Sequence, residues 1–599
     1  MFAAIFYVDG RPVDQTRFGT AGLDVESPDQ VSQVAFVCSN ADSHLASGES
    51  IGIRGLGGQY RIVGRVRLDA RGELRSLLSP HARGPMGEVS DGELCLRAYA
   101  AWGDTFLEHL AGDFCFVLWD EPRRRLICAR DQLGIRSLFH AEVGGVWFVS
   151  DSLDWIAAHS AVSRDLDDTW IADFLTVGYS LDPERTVYRH IRRLAPAHAL
   201  TISGTRAAIR RYWRLEIGDP LYYRDRRQYT EGFVDLLSKS IADRLPPGRV
   251  GIAMSGGLDS TTLAACAVKV TGDTSRVVAE SLHFERFASA GERELSSLVA
   301  GRLGIELRHR PGDDLAYDAR WWARSMTTPE PSDLIATAHL DRQVVCERAE
   351  RASVWFHGEG PDNALIFERD AYLSWLAGQR DWMRLAAAGL FYLRIKGLAG
   401  WWETLARFGG RRHSDEAFIG VPPWIEPSLV RRLDLERRVG EARRPGGVGA
   451  DRAPRHPWRP RAVASFNDPI WPAVFADYEL EESLGPIVLR HPFLDLRVLE
   501  FMLSVPTLPW TREKLLLREA MRGRLPHEVL ARRKVPNEST LPFGDGLPAL
   551  SRNRSLDRYV NVSLVSAGNL SDRLRARALA VHVLDHWLAR RHPGGIHHS

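Results

Sequence analysis

Cysteine is scarce in this chain, and the few cysteines that occur are scattered. The 599 residues include six cysteines, and no two of them form a C-x-x-C pair. This spacing excludes a disulfide framework and a cysteine-bound structural zinc site, and it favours a reducing compartment. Long apolar runs are also missing, because the cleanest run, Leu385 to Leu393, is far shorter than the ~20 residues that cross a bilayer. Since the first residues carry no basic region, we expect no signal peptide and a cytoplasmic protein.

The chain also lacks a strong charge of either sign. Its formal net charge is +2, which is too small to indicate a nucleic-acid-binding surface. We therefore expect neither nucleic acid nor a membrane as a partner. With 599 residues and 44% apolar content, the chain can bury at least two hydrophobic cores, because one core rarely grows beyond about 300 residues.

A glycine-rich loop at residues 255–260 carries the strongest functional signal. No G-K-[ST] tripeptide occurs, so a Walker A loop is excluded. The loop reads S-G-G-L-D-S and lies between an apolar run at 250–254 and an expected helix at 261–270. Glycines let backbone N–H groups approach an anion, and a helix N-terminus favours negative charge. The pattern predicts a phosphate cradle, and Asp259, which would repel phosphate alone, predicts a magnesium ion.

A second glycine-rich loop follows another short apolar run. Residues 353–356 are typical of a buried parallel strand, and residues 357–362 read H-G-E-G-P-D directly after it. Ligands of open α/β sheets bind at the carboxyl ends of strands. We therefore expect both loops to contribute to one binding site.

These two loops resemble motifs of the asparagine synthetase family. S-G-G-x-D-S is similar to the PP-loop of ATP pyrophosphatases, which cleave ATP between its α- and β-phosphates and adenylate a substrate, and G-E-G-P-D is similar to the family's G-E-G-S-D-E. The resemblance implies that Asp259 and Asp362 hold magnesium on the pyrophosphate and that Glu359 lies beside the acyl-adenylate. Pro361 and Asn363 depart from the motif, where the family has Ser and Glu. The other residues implied to bind ATP are Ser255, Gly256, Gly257, Ser260, Gly358 and Gly360.

Further family motifs follow in the same order along the chain. They are R-x-P-F-L-D at 490–495, K-x-x-L-R at 514–518, L-P at 525–526 and R-x-K ending at Lys534. Only five of the 78 basic residues are lysines, yet two of the five lie in these motifs. Arginine does not replace a compact ammonium beside a developing oxyanion, so the lysine at 534 is informative. The resemblance implies that Lys534 stabilises the tetrahedral intermediate and the departing AMP.

The first two hundred residues resemble a glutamine amidotransferase domain with an N-terminal nucleophile. The matching segments are the strand-to-helix segment at 67–74, G-D-F at 112–114, W-D at 119–120 and A-R-D-x-x-G at 129–134. Such glutaminases need a cysteine directly after the initiator methionine, because its amine and thiolate perform the acyl transfer. This chain begins Met1-Phe2, and its first cysteine is Cys38. We predict a glutaminase-like scaffold without glutaminase chemistry.

We predict two domains, at residues 1–215 and 216–599. The boundary follows from a strand-like segment at 199–202, the turn at Asp219-Pro220 and a helical pattern at 229–245. The resemblance implies a fold of mixed α+β and α/β class. The first domain would be an αββα sandwich of the N-terminal-nucleophile type, and the second a PP-loop domain with a parallel, doubly wound sheet and helical additions.

Three further segments carry weaker signals for a functional site. Four tryptophans in a helical pattern at 371–408 either pack an insertion or line an apolar groove, and packing is preferred: Trp375, Trp382, Trp401 and Trp402. Residues 443–461, rich in Gly, Pro and Arg, are typical of a loop or linker. His582 and His586 lie one helical turn apart without a third ligand nearby, so we expect no metal there.

The resemblance leaves the acceptor amine open. Glutamine-dependent asparagine synthetases keep the cysteine, whereas β-lactam synthetases and lasso peptide cyclases lose it. The sequence G-E-G-P-D-N-A-L, with Tyr372 and the tryptophan-bearing helices after it, is most similar to the lasso cyclases. Those enzymes adenylate an Asp or Glu side chain of a precursor peptide and join it to the peptide's N-terminal amine. This resemblance implies a precursor core peptide as substrate, with a leader peptidase and a leader-recognition protein as candidate partners.

Three alternatives remain at this stage. One is an ammonia-dependent asparagine synthetase or a β-lactam synthetase-like enzyme. Another is a scaffold that holds ATP without turnover, and the third, an enzyme acting on tRNA, is disfavoured by the weak net charge. For removal of the amine proton the candidate is Glu359. Tyr372 and Glu368 are the nearest match to the Tyr–Glu pair that β-lactam synthetases use.

Overall fold

The computed structural model covers the chain from Met1 to Ser599. It describes residues 1–13, 24–26, 33–38, 52–81, 89–283, 291–312, 318, 320–337, 340–391, 420–442, 456–532, 547, 549–551, 554–565 and 572–592. No helix within these ranges is long and apolar enough to cross a membrane.

Two six-stranded antiparallel sheets form the N-terminal part of the molecule. Their orders are β10-β8-β9-β1-β3-β2 and β12-β11-β7-β6-β5-β4. The strands are β1 Phe2–Tyr7, β2 Asp24–Glu26, β3 Val34–Cys38, β4 Arg54–Leu56, β5 Tyr60–Leu68, β6 Gly112–Asp120, β7 Arg125–Arg130, β8 Phe139–Val143, β9 Val146–Ser150, β10 Arg192–Arg193, β11 His198–Ser203 and β12 Arg206–Arg211. Alternate side chains of β1 and β6, such as Phe6 and Trp119, pack between the two sheets because successive strand residues point to opposite faces.

Helices cover the outer face of each sheet. They are α1 Arg71–Leu78, α2 Asp91–Trp102, α3 Leu153–Ala158 and α4 Asp168–Val177. Leu94 and Ala98 of α2 pack on the second sheet, and Ile156 of α3 packs on the first. This αββα arrangement is the sandwich that the sequence predicts, including the turn from β5 into α1 at residues 67–74.

A five-stranded parallel sheet organises the second part, in the order β15-β14-β13-β16-β17. Its strands are β13 Val250–Ala253, β14 Val277–His283, β15 Glu306–Pro311, β16 Val354–Phe356 and β17 Val488–Arg490. Val250, Phe356 and Val488 belong to the core on one face, whereas Val278 and Trp355 belong to a second core on the other. Both faces are therefore covered, as a doubly wound sheet requires.

Helices make up most of the remaining described structure. They are α5 Arg226–Arg244, α6 Leu258–Thr271, α7 Glu292–Leu303, α8 Arg342–Arg351, α9 Pro361–Ala364, α10 Arg369–Gly378, α11 at 382–391, α12 Pro427–Leu433, α13 Leu435–Ala442, α14 Pro460–Ser465, α15 Trp471–Glu482, α16 Leu496–Ser504, α17 Leu515–Ala520, α18 His527–Ala531, α19 Arg554–Asp557, α20 Val562–Val565 and α21 Asp572–Arg591. The predicted boundary near 215 falls between β12 and α5, and it stays a prediction.

Of two further predicted segments, one differs from the expectation. The loop predicted at 443–461 ends in buried structure, because Arg459 is fully buried and α14 begins at Pro460. Residues 443–455 lie outside the described ranges. The second segment does not differ where it is described: α10 and α11 confirm the helical pattern predicted at 371–408, and residues 392–408 lie outside the description.

A buried ion network joins the two parts of the molecule. Arg244 of α5 is 1% exposed and donates to Asp69, just after β5, at 2.7 Å and to Asp495, which caps α16, at 2.9 Å. Arg67 donates to Asp69 and to Asp113 at 2.6 and 2.8 Å. Although burial acts to raise it, the charges of Arg67 and Arg244 hold the pKa of Asp113 below its usual range. The G-D-F and F-L-D motif acids thus serve packing between the sandwich and the parallel sheet.

We expect Arg244→Met to destabilise the protein strongly. The change leaves Asp69 and Asp495 buried with a partner missing, and breaking a buried pair in this way costs about 3–5 kcal/mol. Thermal unfolding followed by circular dichroism measures the loss as a lower Tm. Arg227→Met, which removes an exposed pair with Asp225, is the matched control and should leave the Tm unchanged. Equal Tm values for the two variants would contradict this account of the network.

Candidate active site

The two glycine-rich loops lie at the carboxyl ends of adjacent strands. β13 and β16 are hydrogen-bonded neighbours, with Ile252 opposite Phe356 at their carboxyl ends. A Cβ atom added at Gly358 would lie 3.5 Å from the Asp259 Cβ and 3.4 Å from the Ser260 backbone nitrogen. The two loops are therefore in van der Waals range of each other at Gly358.

The first loop has the backbone of an anion cradle. Gly256 has φ +70°, and a Cβ there would approach the Glu292 carbonyl oxygen to 2.8 Å, so the position requires glycine. The Ser255 N–H donates to the Ser260 Oγ at 3.1 Å, which closes the loop. Helix α6 begins at Leu258 with Gly257 as its N-cap, earlier than the predicted start at 261. Asp259 and Ser260 therefore lie in the first turn, where the helix favours negative charge.

Asp259 and Asp362 converge on one positive charge. The Lys514 Nζ lies 2.5 Å from Asp259 Oδ2 and 2.6 Å from Asp362 Oδ1. Asp362 reaches this point from the first turn of α9, directly after the second loop. Two carboxylates on a shared cation position form the oxygen ligand set that magnesium prefers, so these residues fit the ion that the sequence predicts.

Lys514 is held by an unusual backbone. Glu513 and Lys514 have φ +48° and +55°, the left-handed region that side-chain-bearing residues rarely adopt. Strain of this kind persists where surrounding structure fixes it, and it clusters at functional sites. The sequence marked Lys514 only as a motif position, and the structure adds its contact with both acids.

A tyrosine from a distant helix completes the surroundings of Glu359. The Tyr478 hydroxyl, on α15, donates to Glu359 Oε1 at 2.8 Å. The rings of His357 and His491 pack against Tyr478 with centroid separations of 4.9 and 4.8 Å. Burial, together with the charge of Glu359, raises the pKa of Tyr478 well above its ordinary value, so the hydroxyl remains a donor. Tyr478 and Glu359 are a Tyr–Glu pair that the sequence did not locate.

The pair suggested by sequence proximity is not formed. Glu368 is buried and accepts hydrogen bonds from the backbone N–H groups of Arg461 and Ala462. The Tyr372 hydroxyl instead lies 3.0 Å from the Tyr222 hydroxyl. Glu368 and Tyr372 both hold α10 in place. The Tyr–Glu pair that the structure contains is Tyr478 with Glu359.

The remaining candidates divide between packing and the undescribed segments. Lys534, Trp401 and Trp402 lie outside the described residues. Trp375 packs on Trp458, with ring centroids 6.2 Å apart, whereas Trp382 is 63% exposed. His582 and His586 lie on α21. Among the residues that the structure describes, the one cluster of three acids with ligand atoms close enough for a metal is Asp69, Asp243 and Asp495, which Arg244 and Arg497 already neutralise.

The amino-terminal end of strand β1 carries no thiol. Phe2 is fully buried between the sheets, and its backbone N–H donates to Asp151 Oδ1 at 2.8 Å. The cysteine nearest to Phe2 in the β1–β3 ladder is Cys38, which lies opposite Phe2 on the neighbouring strand β3 and not on β1. Position 2, at the start of the first strand of the sandwich, thus holds a buried apolar side chain.

Comparison with family models matches both parts of the chain. The family described as glutamine amidotransferase domain matches residues 71–213. The family described as asparagine synthase matches residues 232–442 and 486–587, about half of the chain. The second match includes both glycine-rich loops, Asp362 and Lys514.

Several curated proteins are similar to the chain over much of its length. Asparagine synthetase [glutamine-hydrolyzing] 3 of Bacillus subtilis is 26% identical over 81% of this chain and 76% of its own length. The amidase chyE of Penicillium rubens is 24% identical over 79% of this chain and 76% of its own. A putative asparagine synthetase [glutamine-hydrolyzing] of Mycobacterium tuberculosis is 32% identical over 40% of this chain and 36% of its own.

Proposed function

The chain belongs to the asparagine synthase family, and we propose that this ATP-dependent amide-forming ligase is a lasso peptide cyclase. With ATP and magnesium it would adenylate an Asp or Glu side chain of a precursor peptide and close a macrolactam onto the peptide's N-terminal amine. One observation carries the proposal: the set of Asp259, Asp362, Lys514 and Glu359 is intact, whereas the head of β1 holds Phe2. The amine is then supplied by the substrate and not by glutamine.

Adenylation solves the problem that a carboxylate is a poor electrophile. The carboxylate oxygen attacks the α-phosphorus of ATP, and the bond to the β-phosphate oxygen breaks to release pyrophosphate. Asp259 and Asp362 would hold magnesium against that pyrophosphate, and the ion would neutralise its charge. Lys514 contributes a further positive charge at the same point, and the backbone N–H groups of the first loop bind phosphate oxygens.

Amide formation then needs an oriented amine and a group that removes its proton. The amine attacks the acyl carbon, the bond to AMP breaks, and the proton passes to Glu359 in the proposed assignment. The Tyr478 hydroxyl fixes the Glu359 carboxylate, so that one of its oxygens points in a defined direction. Orientation within one complex can lower the barrier by roughly 7 to 11 kcal/mol. Lys534 would stabilise the oxyanion that forms.

An ammonia-dependent asparagine synthetase is the second candidate. The Bacillus and Mycobacterium relatives are named as glutamine-hydrolyzing asparagine synthetases, which favours asparagine as the product. A β-lactam synthetase-like reaction shares the requirement for a Tyr–Glu pair, which Tyr478 and Glu359 provide. The chemistry of ammonia argues against an ammonia-dependent synthetase. Free ammonia is a minor species at neutral pH, and this sandwich has no thiol at β1 to generate it from glutamine. A scaffold that only holds ATP would not need Glu359 and Tyr478 to be paired.

We expect a leader-free peptide to be cyclised. The peptide carries a small N-terminal residue and an acid at about the seventh to ninth position, as the resemblance to lasso cyclases implies. With ATP and magnesium it should yield a product lighter by one water, together with AMP and pyrophosphate and without added ammonia. Mass spectrometry and an AMP assay follow the reaction. Addition of a leader peptidase and a leader-recognition protein tests the proposed partners with the full precursor.

The competing activities give different results in the same assay. AMP release that depends on aspartate and saturates with ammonium salts, with asparagine as product, would replace the cyclase by the synthetase. ADP as the main nucleotide product would contradict adenylation itself. ATP binding without any turnover would contradict both enzymatic functions and favour a scaffold that only holds ATP.

A further inference from the structure

A cavity of about 1130 Å³ lies between the sandwich and the parallel-sheet part of the molecule. Its lining includes Met1, Asp151 and Trp170 from the sandwich. From the parallel-sheet part it includes residues 328–334 and one face of α15. Its volume exceeds the ~300–1,000 Å³ of typical small-molecule pockets. The space is therefore large enough for part of a peptide.

The wall of this cavity is acidic. Of the described lining residues, three are arginines and seven are acids: Asp151, Asp182, Glu330, Asp333, Asp477, Glu479 and Glu482. Arginines already pair with three of these acids: Arg65 and Arg136 with Glu482 at 2.8 and 2.6 Å, Arg193 with Glu330, and Arg185 with Asp182 at 3.0 Å. The four acids that remain outnumber the third lining arginine, Arg342. The excess of acids favours a cationic ligand over an anionic one.

Asp333 and Asp477 are two lining acids without an arginine or lysine partner among the described residues. The Asp333 Oδ1 is enclosed by protein and accepts no hydrogen bond. Asp477 accepts one from the Ser332 hydroxyl at 2.8 Å, and no arginine or lysine pairs with either acid in the described part of the chain. Burial and the neighbouring charge of Asp477 raise the pKa of Asp333 to about 7, and burial raises the pKa of Asp477 to about 6. A buried carboxylate without a counter-ion is costly; near neutral pH protonation relieves part of that cost, and a cation bound in the cavity would relieve the rest.

The cavity is distinct from the site of the reacting groups. None of Asp259, Glu359, Asp362 and Lys514 belongs to its described lining. Helix α15 separates the two, because Asp477 faces the cavity while the adjacent Tyr478 contacts Glu359. A ligand in the cavity would thus lie one helix away from the acyl carbon, too far to be the attacking amine.

We propose that this cavity binds a basic side chain of the peptide substrate, with Asp333 and Asp477 as its counter-charges. The aromatic residues Trp170, Phe139 and Tyr179 line the sandwich side of the same cavity, opposite the two acids, and suit the stem of an arginine or lysine. The inference rests on the proposed function in taking a peptide as the substrate. It adds a specificity for basic peptides that the reaction itself does not require.

Calorimetric titration of the full chain without ATP tests this binding. The probe is a leader-free peptide with an N-terminal glycine, an acid at about the eighth position and one arginine in its tail. Its partner carries citrulline, which keeps the shape and removes the charge, in place of arginine. We expect Asp333→Asn and Asp477→Asn each to lower the affinity for the arginine peptide by about tenfold to a hundredfold. The affinity for the citrulline peptide should stay unchanged.

Controls separate this site from unfolding and from other amines. Asp370→Asn, at an exposed position, should bind the arginine peptide like the unmodified chain. The Tm of Asp333→Asn should not fall, because the change removes repulsion between buried acids. Putrescine that binds as tightly as the peptide, and with the same dependence on Asp333, would overturn the assignment to a peptide side chain. Equal affinity of both peptides for the unmodified chain would overturn the site altogether.

The outcome is independent of turnover. If the arginine peptide binds in an Asp333-dependent manner but is never cyclised, the cyclase function fails and the cationic site stands. If peptides are cyclised while Asp333→Asn and Asp477→Asn leave binding unaltered, the function stands and the site fails.

Discussion

Replacing Asp259 or Asp362 by asparagine is expected to lower magnesium-dependent ATP–pyrophosphate exchange by about a thousandfold. Each carboxylate lies within 2.6 Å of the same ammonium, so both are placed to bind one magnesium ion. Loss of either ligand removes charge stabilisation of several kcal/mol from the departing pyrophosphate, and about 4 kcal/mol corresponds to a thousandfold. Radioactive pyrophosphate exchange, started with the acid-bearing peptide, measures this half-reaction alone.

Asp370→Asn is the control for the loss of one acid, because that residue is exposed and pairs only with Arg369 among the described contacts. Its exchange rate should match that of the unmodified chain. The Tm values of the Asp259 and Asp362 variants should not fall. Exchange that survives in Asp362→Asn at the unmodified rate would remove this residue from the magnesium site and leave Asp259 with another partner.

The sequence could predict both glycine-rich loops because each is a local feature. A short apolar strand, glycines and an acid lie within ten residues in each case, and parallel strands bring their carboxyl ends to one edge. The pairing of β13 with β16 then places Gly358 against Asp259. The predicted start of α6 at residue 261 is wrong, because Leu258 and Asp259 belong to the helix and an acid is favourable in its first turn.

Other parts of the site depend on contacts that no local pattern records. Tyr478 is 119 residues from Glu359 in the chain, on a helix whose tyrosine carries no motif. Glu368 and Tyr372 looked like a pair only because they are close in sequence, and tertiary packing uses each for a different partner. Lys514 contacts both acids from a turn with two consecutive left-handed residues, neither of them glycine, and no sequence pattern indicates such a turn.

The cavity between the two parts of the molecule shows the same limit. Its acids come from the segments that follow β9 and α4, from residues 330–333 and from α15, and their charges meet only after the two parts pack together. The near-neutral net charge of +2 conceals this local excess of acid. Packing is directed by Arg244, whose partners Asp69 and Asp495 are 175 and 251 residues away.

Lys534→Ala is expected to leave adenylation intact and to slow amide closure by about a hundred- to a thousandfold. This lysine lies outside the described residues, and the expectation follows from its place in the family motif. Removing one preorganised donor to a developing oxyanion costs a factor of that size, because the oxyanion exists only in the second half-reaction. Pyrophosphate exchange reports the first step, and single-turnover formation of the dehydrated peptide reports the second.

Two further variants make the assignment specific. Lys534→Arg keeps the charge but replaces a compact ammonium by a planar fork, so closure should remain impaired while exchange continues. Lys239→Ala removes an exposed lysine that pairs with Asp235, and neither half-reaction should change. If Lys534→Ala loses exchange and closure to the same extent, the lysine acts on ATP, as Lys514 does, and the separate role in closure is wrong.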